Sequence, residues 1–94
     1  MATIADYKPV GRLDAGTAAM HEKSILELLV GDVNSVAINL SELDFLSSAG
    51  LRVLLVAAKA ANSKGGQVIL ISPKPAVLDV LQVSGFDKFC QIQV

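Results

Sequence analysis

Short continuous apolar runs alternate along this chain with longer stretches in which apolar residues return every three or four positions. Ser35-Val36-Ala37-Ile38-Asn39-Leu40 and Gln67-Val68-Ile69-Leu70-Ile71 are of the first kind and read as inner strands of a sheet. Between Ala15 and Val30, the residues Ala18, Ile25, Leu28 and Leu29 recur at helical spacing, with Glu22, Lys23 and Glu27 on other faces. This predicts a first helix, ended by Gly31-Asp32. Ala49 to Ser63 predicts a second helix, rich in alanine and leucine, with Arg52, Lys59, Asn62 and Ser63 as its polar positions. Those four make a narrow wet stripe, so most of this helix is expected to be covered. Asn62 to Gly66 breaks it.

The remaining segments fit around these. Thr3 to Val10 alternates weakly, and Pro9 cannot donate to a ladder, so a short or edge strand is predicted there. Gly11-Arg12-Leu13-Asp14 reads as a turn, with Asp14 as a candidate N-cap for the first helix. Ser41 to Leu46 is expected to cross back over the sheet edge. Pro75 suits the first position of a third helix carrying Val77, Leu78, Val80 and Leu81 and stopping at Ser84-Gly85. Phe86 and Phe89 then close the core, and Cys90 to Val94 is a candidate last strand. Strand, helix, strand in this order implies a right-handed crossover and a parallel pair. The expected architecture is α/β, with a small mixed, mostly parallel sheet packed with about four helices.

Composition narrows the class. Of 94 residues, 52% are hydrophobic and 18% charged, which suits one well-buried domain over residues 1–94. No run approaches the roughly 18–20 apolar residues needed to span a bilayer, so no membrane insertion is expected. Met1 to Asp6 has neither the basic start nor the apolar core of a signal peptide. One cysteine, Cys90, cannot form an internal disulfide, which fits a cytoplasmic protein. The net charge is −1 with scattered basic residues and 4% aromatics, so neither a phosphate-binding footprint nor base-stacking platforms for nucleic acid are present.

Candidate chemistry is correspondingly thin. His21 and Cys90 are too few for a metal site of three or four ligands. His21 falls between Ala18 and Ile25 on the apolar side of the first helix and reads as a packed, hydrogen-bonded histidine. Cys90 reads as core packing. A nucleophile elbow needs glycines on both sides of its serine, whereas Ser48 has Gly50 alone. Gly65-Gly66 precedes a strand with no G-K-[ST] after it, so it is a turn rather than a phosphate loop. What remains is Ser47-Ser48 at the start of the second helix. One hydroxyl suffices for a cap. The other is either redundant or a phosphoacceptor, since a helix N-terminus tolerates added negative charge.

Leu43-Asp44-Phe45-Leu46-Ser47-Ser48-Ala49-Gly50-Leu51 resembles the signature of STAS domains, the anti-sigma factor antagonist family, written D-S-S-G-L or D-S-T-G-L. Gly11-Arg12-Leu13-Asp14 is similar to the family's G-x-L-D, and Pro75-Ala76-Val77 with Ser84-Gly85-Phe86 to its final helix and turn. The resemblance implies a single STAS-like domain acting in a partner-switching pathway by binding, with no enzymatic activity and no cofactor. Unphosphorylated, such a protein binds a serine-protein kinase that doubles as an anti-sigma factor. Phosphorylation releases it, and a PP2C-type phosphatase reverses the mark. The phosphoacceptor falls on Ser48 and the family glycine on Gly50. The family's aspartate is Ser47 here, which stands as the second candidate acceptor, and its second serine or threonine is Ala49. The implied docking surface is the amino end of the second helix: Ser47, Ser48, Ala49, Gly50 and Arg52, with Asp14 beside it. Loops at Arg12 to Asp14 and Ser72 to Lys74 are expected to flank it. The plainer roles are a solvated helix residue for Arg52 and a helix cap for Asp14. A monomer is the expected state. The alternative function within the resemblance is an accessory subunit of a lipid-transport ABC ATPase complex.

Overall fold

The computed structural model describes residues 3–94. In chain order it comprises β1 (Thr3–Tyr7), β2 (Gly11–Leu13), α1 (Ala18–Leu28), β3 (Val33–Asn39), β4 (Leu43–Leu46), α2 (Ser48–Ser63), β5 (Val68–Ile71), α3 (Pro75–Val83), a 3-10 turn (Phe86–Lys88) and β6 (Gln91–Gln93). The main sheet has the order β1-β3-β5-β6. All of its described pairs run parallel, so the sheet is parallel throughout rather than mixed.

Burial follows position in the sheet. On β3, the four consecutive residues Ser35 to Ile38 are buried, which requires cover on both faces because successive side chains point opposite ways. On β5, Val68 and Leu70 are buried while Ile69 and Ile71 are half-buried. β1, at the edge, keeps Ile4 exposed. Helices α1 and α2 pack on one another and both reach β3, while α3 lies against β4. Leu13, Ile25, Ile38, Leu40, Leu43, Leu54, Leu70 and Leu81 are the largest fully enclosed side chains.

Several expectations need correction. Gly11 to Leu13 is a strand rather than a turn, and it pairs in parallel with β4 in a separate two-stranded ribbon. The segment from Ser41 to Leu46 contributes that partner strand instead of only crossing an edge. Both pieces are too short to show a period of their own; burying Leu13, Leu43 and Leu46 against the core decides their conformation. Helix α1 starts three residues late, at Ala18, with Thr17 as the capping residue, so Asp14 is not its N-cap. Asp14 organises the preceding turn: its carboxylate accepts from the Gly16 N–H, and its carbonyl from those of Thr17 and Ala18. Phe86 enters the core but Phe89 is 60% exposed, its ring stacked edge-on against the outer side of Phe86 with 6.0 Å between centroids. Pro75 opens α3 directly after Lys74, as its fixed φ allows.

Candidate functional site

The site is built on the β2–β4 ribbon. Its register pairs Gly11 with Leu43, Arg12 with Phe45 and Leu13 with Leu46, leaving Asp44 as the extra residue of a bulge. The slip inverts the side-chain phase within β4. Leu43 and Leu46 point inward, while Asp44 and Phe45 are exposed. Arg12 is turned outward opposite Phe45, with its guanidinium 4.4 Å from the ring centroid. Its Nε also donates to Asp14 Oδ2 at 2.8 Å. That ion pair holds the Asp14 carboxyl below its ordinary range.

Ser47 leaves the ribbon in extended backbone conformation and becomes the N-cap of α2. Its N–H donates to the Leu13 carbonyl at 3.1 Å, and its Oγ lies 3.5 Å from the same oxygen as a weak donor. Ser47 Oγ in turn accepts from the Gly50 N–H at 3.3 Å. This hydroxyl therefore satisfies one of the four free donors that a helix start carries. Ser48, the first residue of α2, is exposed, and its hydroxyl takes no hydrogen bond among the described residues. Of the two serines, only Ser47 is committed to the helix start.

Gly50 lets α2 begin flush against the ribbon. A β-carbon built there would stand 2.4 Å from the Leu13 carbonyl oxygen and 2.7 Å from Leu46 Cδ1. No larger residue fits without moving the helix. Ser48, Ala49 and Arg52 line a shallow open depression of about 250 Å³ at this end of the helix.

The surrounding charges are mostly spoken for. Lys8 pairs with Glu42 at 2.7 Å, which lowers the Glu42 carboxyl, and Lys74 pairs with Asp44. Arg52 has no carboxylate within ion-pair distance among the described residues.

The structure thus brings Ser47, Ser48, Ala49, Gly50 and Arg52 together, with Asp14 beside them through the Leu13 carbonyl and the Arg12 pair. Of the two segments expected to flank this end, the first holds the Leu13 carbonyl that accepts from the Ser47 N–H, and the second is tied to β4 by the Lys74–Asp44 pair. Phe45 is the residue missed from the sequence. Simple alternation would place it with Leu43, and only the bulge turns it outward.

His21 and Cys90 stand elsewhere as packing residues. His21 is 5% exposed; its Nδ1 lies 2.5 Å from the Tyr7 hydroxyl, and burial lowers its pKa below 6.5. Burial pushes the Cys90 thiol up to about 11. Among the described residues no group of three or more His, Cys, Asp or Glu could hold a metal ion, and no helix is long and apolar enough to cross a membrane.

Comparison with known proteins converges on one family. The STAS domain family model matches residues 2–93. The chain is 45% identical over 51 residues to BtrV of Bordetella bronchiseptica, a candidate anti-sigma factor antagonist, covering 54% of this chain and 44% of BtrV. It is 31% identical over 83 residues to an anti-sigma F factor antagonist of Paenibacillus polymyxa, covering 87% of this chain and 71% of that protein. The crystal structure of a candidate anti-sigma factor antagonist from Thermotoga maritima superposes with a TM-score of 0.88 at 26% identity, over 97% of this chain and 79% of that one. With the β2–β4 ribbon, the serine-capped α2 and the flush glycine all in the matched span, the chain belongs to the STAS domain family.

Proposed function

We propose that this protein is an anti-sigma factor antagonist that works by partner switching, with Ser48 as the switch. The observation that carries the reading is the division of labour at the start of α2. Ser47 Oγ is engaged by the Gly50 N–H and the Leu13 carbonyl, whereas Ser48 Oγ is exposed and uncommitted at the rim of an open depression. A hydroxyl already holding a helix start is a poor acceptor, because modification would cost the cap. A neighbouring free one can be modified without disturbing the fold.

Transfer moves the γ-phosphoryl group of ATP to Ser48 Oγ, ADP leaves, and the hydroxyl proton goes to the kinase's base. The product carries about −1.5 to −2 charge at neutral pH. The free N–H groups of the first turn of α2 and its dipole tolerate that charge, so the backbone can stay as it is. What changes is the surface offered to a partner. Unmodified, the face around Ser48, Ala49 and Arg52, bordered by Asp14 and the Arg12–Phe45 stack, docks on a serine-protein kinase that doubles as an anti-sigma factor. Phosphate puts bulk and negative charge at its centre and releases the complex. A PP2C-type phosphatase restores the binding form. The protein acts by occupying its partner, without chemistry of its own. The relatives named as anti-sigma factor antagonists support this role.

The test is incubation with ATP and the serine kinases of the same genome, followed by intact mass measurement and binding of the unmodified chain to each kinase. A gain of one phosphate, kept in Ser47→Ala and lost in Ser48→Ala, supports the reading. Phosphate mapped to Ser47 overturns the site. Absence of any gain, together with stable co-purification with a transport ATPase, overturns the function in favour of an accessory subunit.

A further inference from the structure

We propose that Arg52 is the intramolecular partner of a phosphoryl group on Ser48, so that phosphorylation withdraws a free guanidinium from the docking face as well as adding charge to it. The inference rests on the reading of Ser48 as phosphoacceptor.

Four basic side chains belong to the segments around the start of α2. Lys8 is held by Glu42, Lys74 by Asp44, and Arg12 by Asp14 and the Phe45 ring. Arg52 alone of these four has no carboxylate within ion-pair distance among the described residues. It is exposed and lines the same depression as Ser48. The third lining residue is Ala49, whose side chain is a single methyl group.

Helix geometry supplies the rest. Ser48 and Arg52 are four residues apart within one helix, which puts their β-carbons about 5–6 Å from each other on one face. An anion N-terminal to a cation is the favourable order for such a pair. The planar guanidinium fork matches phosphate oxygens two at a time, a fit that an ammonium lacks. The depression therefore changes from a cation beside a hydroxyl to a neutralised cation beneath surplus negative charge. A partner that used Arg52 would lose it at the same moment that it met the phosphate.

The test installs phosphoserine at position 48 during translation, so that no kinase is involved. The second pKa of the phosphate is then read by phosphorus NMR in the full chain and in Arg52→Gln and Arg52→Lys. The helix start is common to all three, so the differences isolate residue 52. We expect the pKa in Arg52→Gln to exceed that of the parent by roughly 0.3–1 unit, with Arg52→Lys in between, and the gap to shrink at high salt. A second readout needs no variant: the Arg52 side-chain N–H resonance of the parent chain should shift on phosphorylation.

Equal phosphate pKa values in the parent and a folded Arg52→Gln would overturn the proposal, as would an unmoved Arg52 resonance. These outcomes are separate from the fate of the function. A pKa gap in a chain that no kinase modifies sinks the partner switch and leaves the ion pair standing. Enzymatic phosphorylation at Ser48 with no gap does the reverse.

Discussion

A β-carbon at Gly50 would stand 2.4 Å from the carbonyl oxygen of Leu13, on a different element and 37 positions earlier in the chain. That carbonyl also accepts from the Ser47 N–H, so it cannot retreat without loosening the helix start. Gly50→Ala should therefore destabilise the fold despite the higher helix propensity of alanine. The expected loss is about 1–3 kcal/mol, the range for overpacking a tight interior. Urea unfolding measures it, and a variant as stable as the parent would contradict the close packing.

The division of labour between the serines predicts unequal stability effects. Ser47→Ala removes the cap and should cost about 1 kcal/mol, while Ser47→Asp keeps an acceptor and should cost much less. Ser48→Ala should stay within about 0.5 kcal/mol of the parent, as expected for an exposed side chain away from a cap. The comparison is made by urea midpoints in parallel. Equal losses in the two alanine variants would mean that the hydroxyls share the cap.

Stability should fall as pH drops from 7.5 to 5.5. Burial lowers the His21 pKa in the folded chain below its ordinary value of 6.5. Below that ordinary value the unfolded chain binds a proton that the folded chain refuses, which favours unfolding. The contribution of neutral, buried His21 is thus fully present above the unfolded pKa and is lost as pH falls toward the folded one. Asp14 and Glu42, whose carboxyls are lowered, lose their contributions only at more acid pH. Denaturant midpoints across this window give the slope, and His21→Asn should flatten it. An unchanged slope in that variant would assign the effect to other groups.

Cys90 should resist thiol reagents in the native state. It is 6% exposed and its thiol titrates at about 11, so little thiolate exists near neutral pH. An aromatic disulfide reagent at pH 7.5 should release colour slowly without denaturant and promptly with it. Fast labelling of the folded chain would show that the tail around β6 opens readily.

The sequence by itself determined the long elements. The apolar runs at Ser35 to Leu40 and Gln67 to Ile71, the periodic stretch through Leu28, and the alanine-rich helix each exceed the length at which period and burial reinforce one another. Proline at the start of α3 and Ser84-Gly85 at its end are local signals that act within one turn. The motif from Asp44 to Leu51 singled out the start of α2, where Ser48, Ala49 and Arg52 line one depression and Ser47 accepts from the Gly50 N–H.

Tertiary structure decided the rest. Gly11 to Leu13 and Leu43 to Leu46 hold three and four residues, too few for propensity to overcome, and become strands only because they pair with each other and bury leucines. The bulge at Asp44 then reverses the side-chain phase, turning Phe45 out to meet Arg12 and Leu46 in to meet Leu13. Which of two adjacent serines caps the helix is likewise set from a distance, by the Leu13 carbonyl that fixes Ser47 and leaves Ser48 free. A local sequence can announce that a helix begins, but a hydrogen bond spanning 34 residues chooses where.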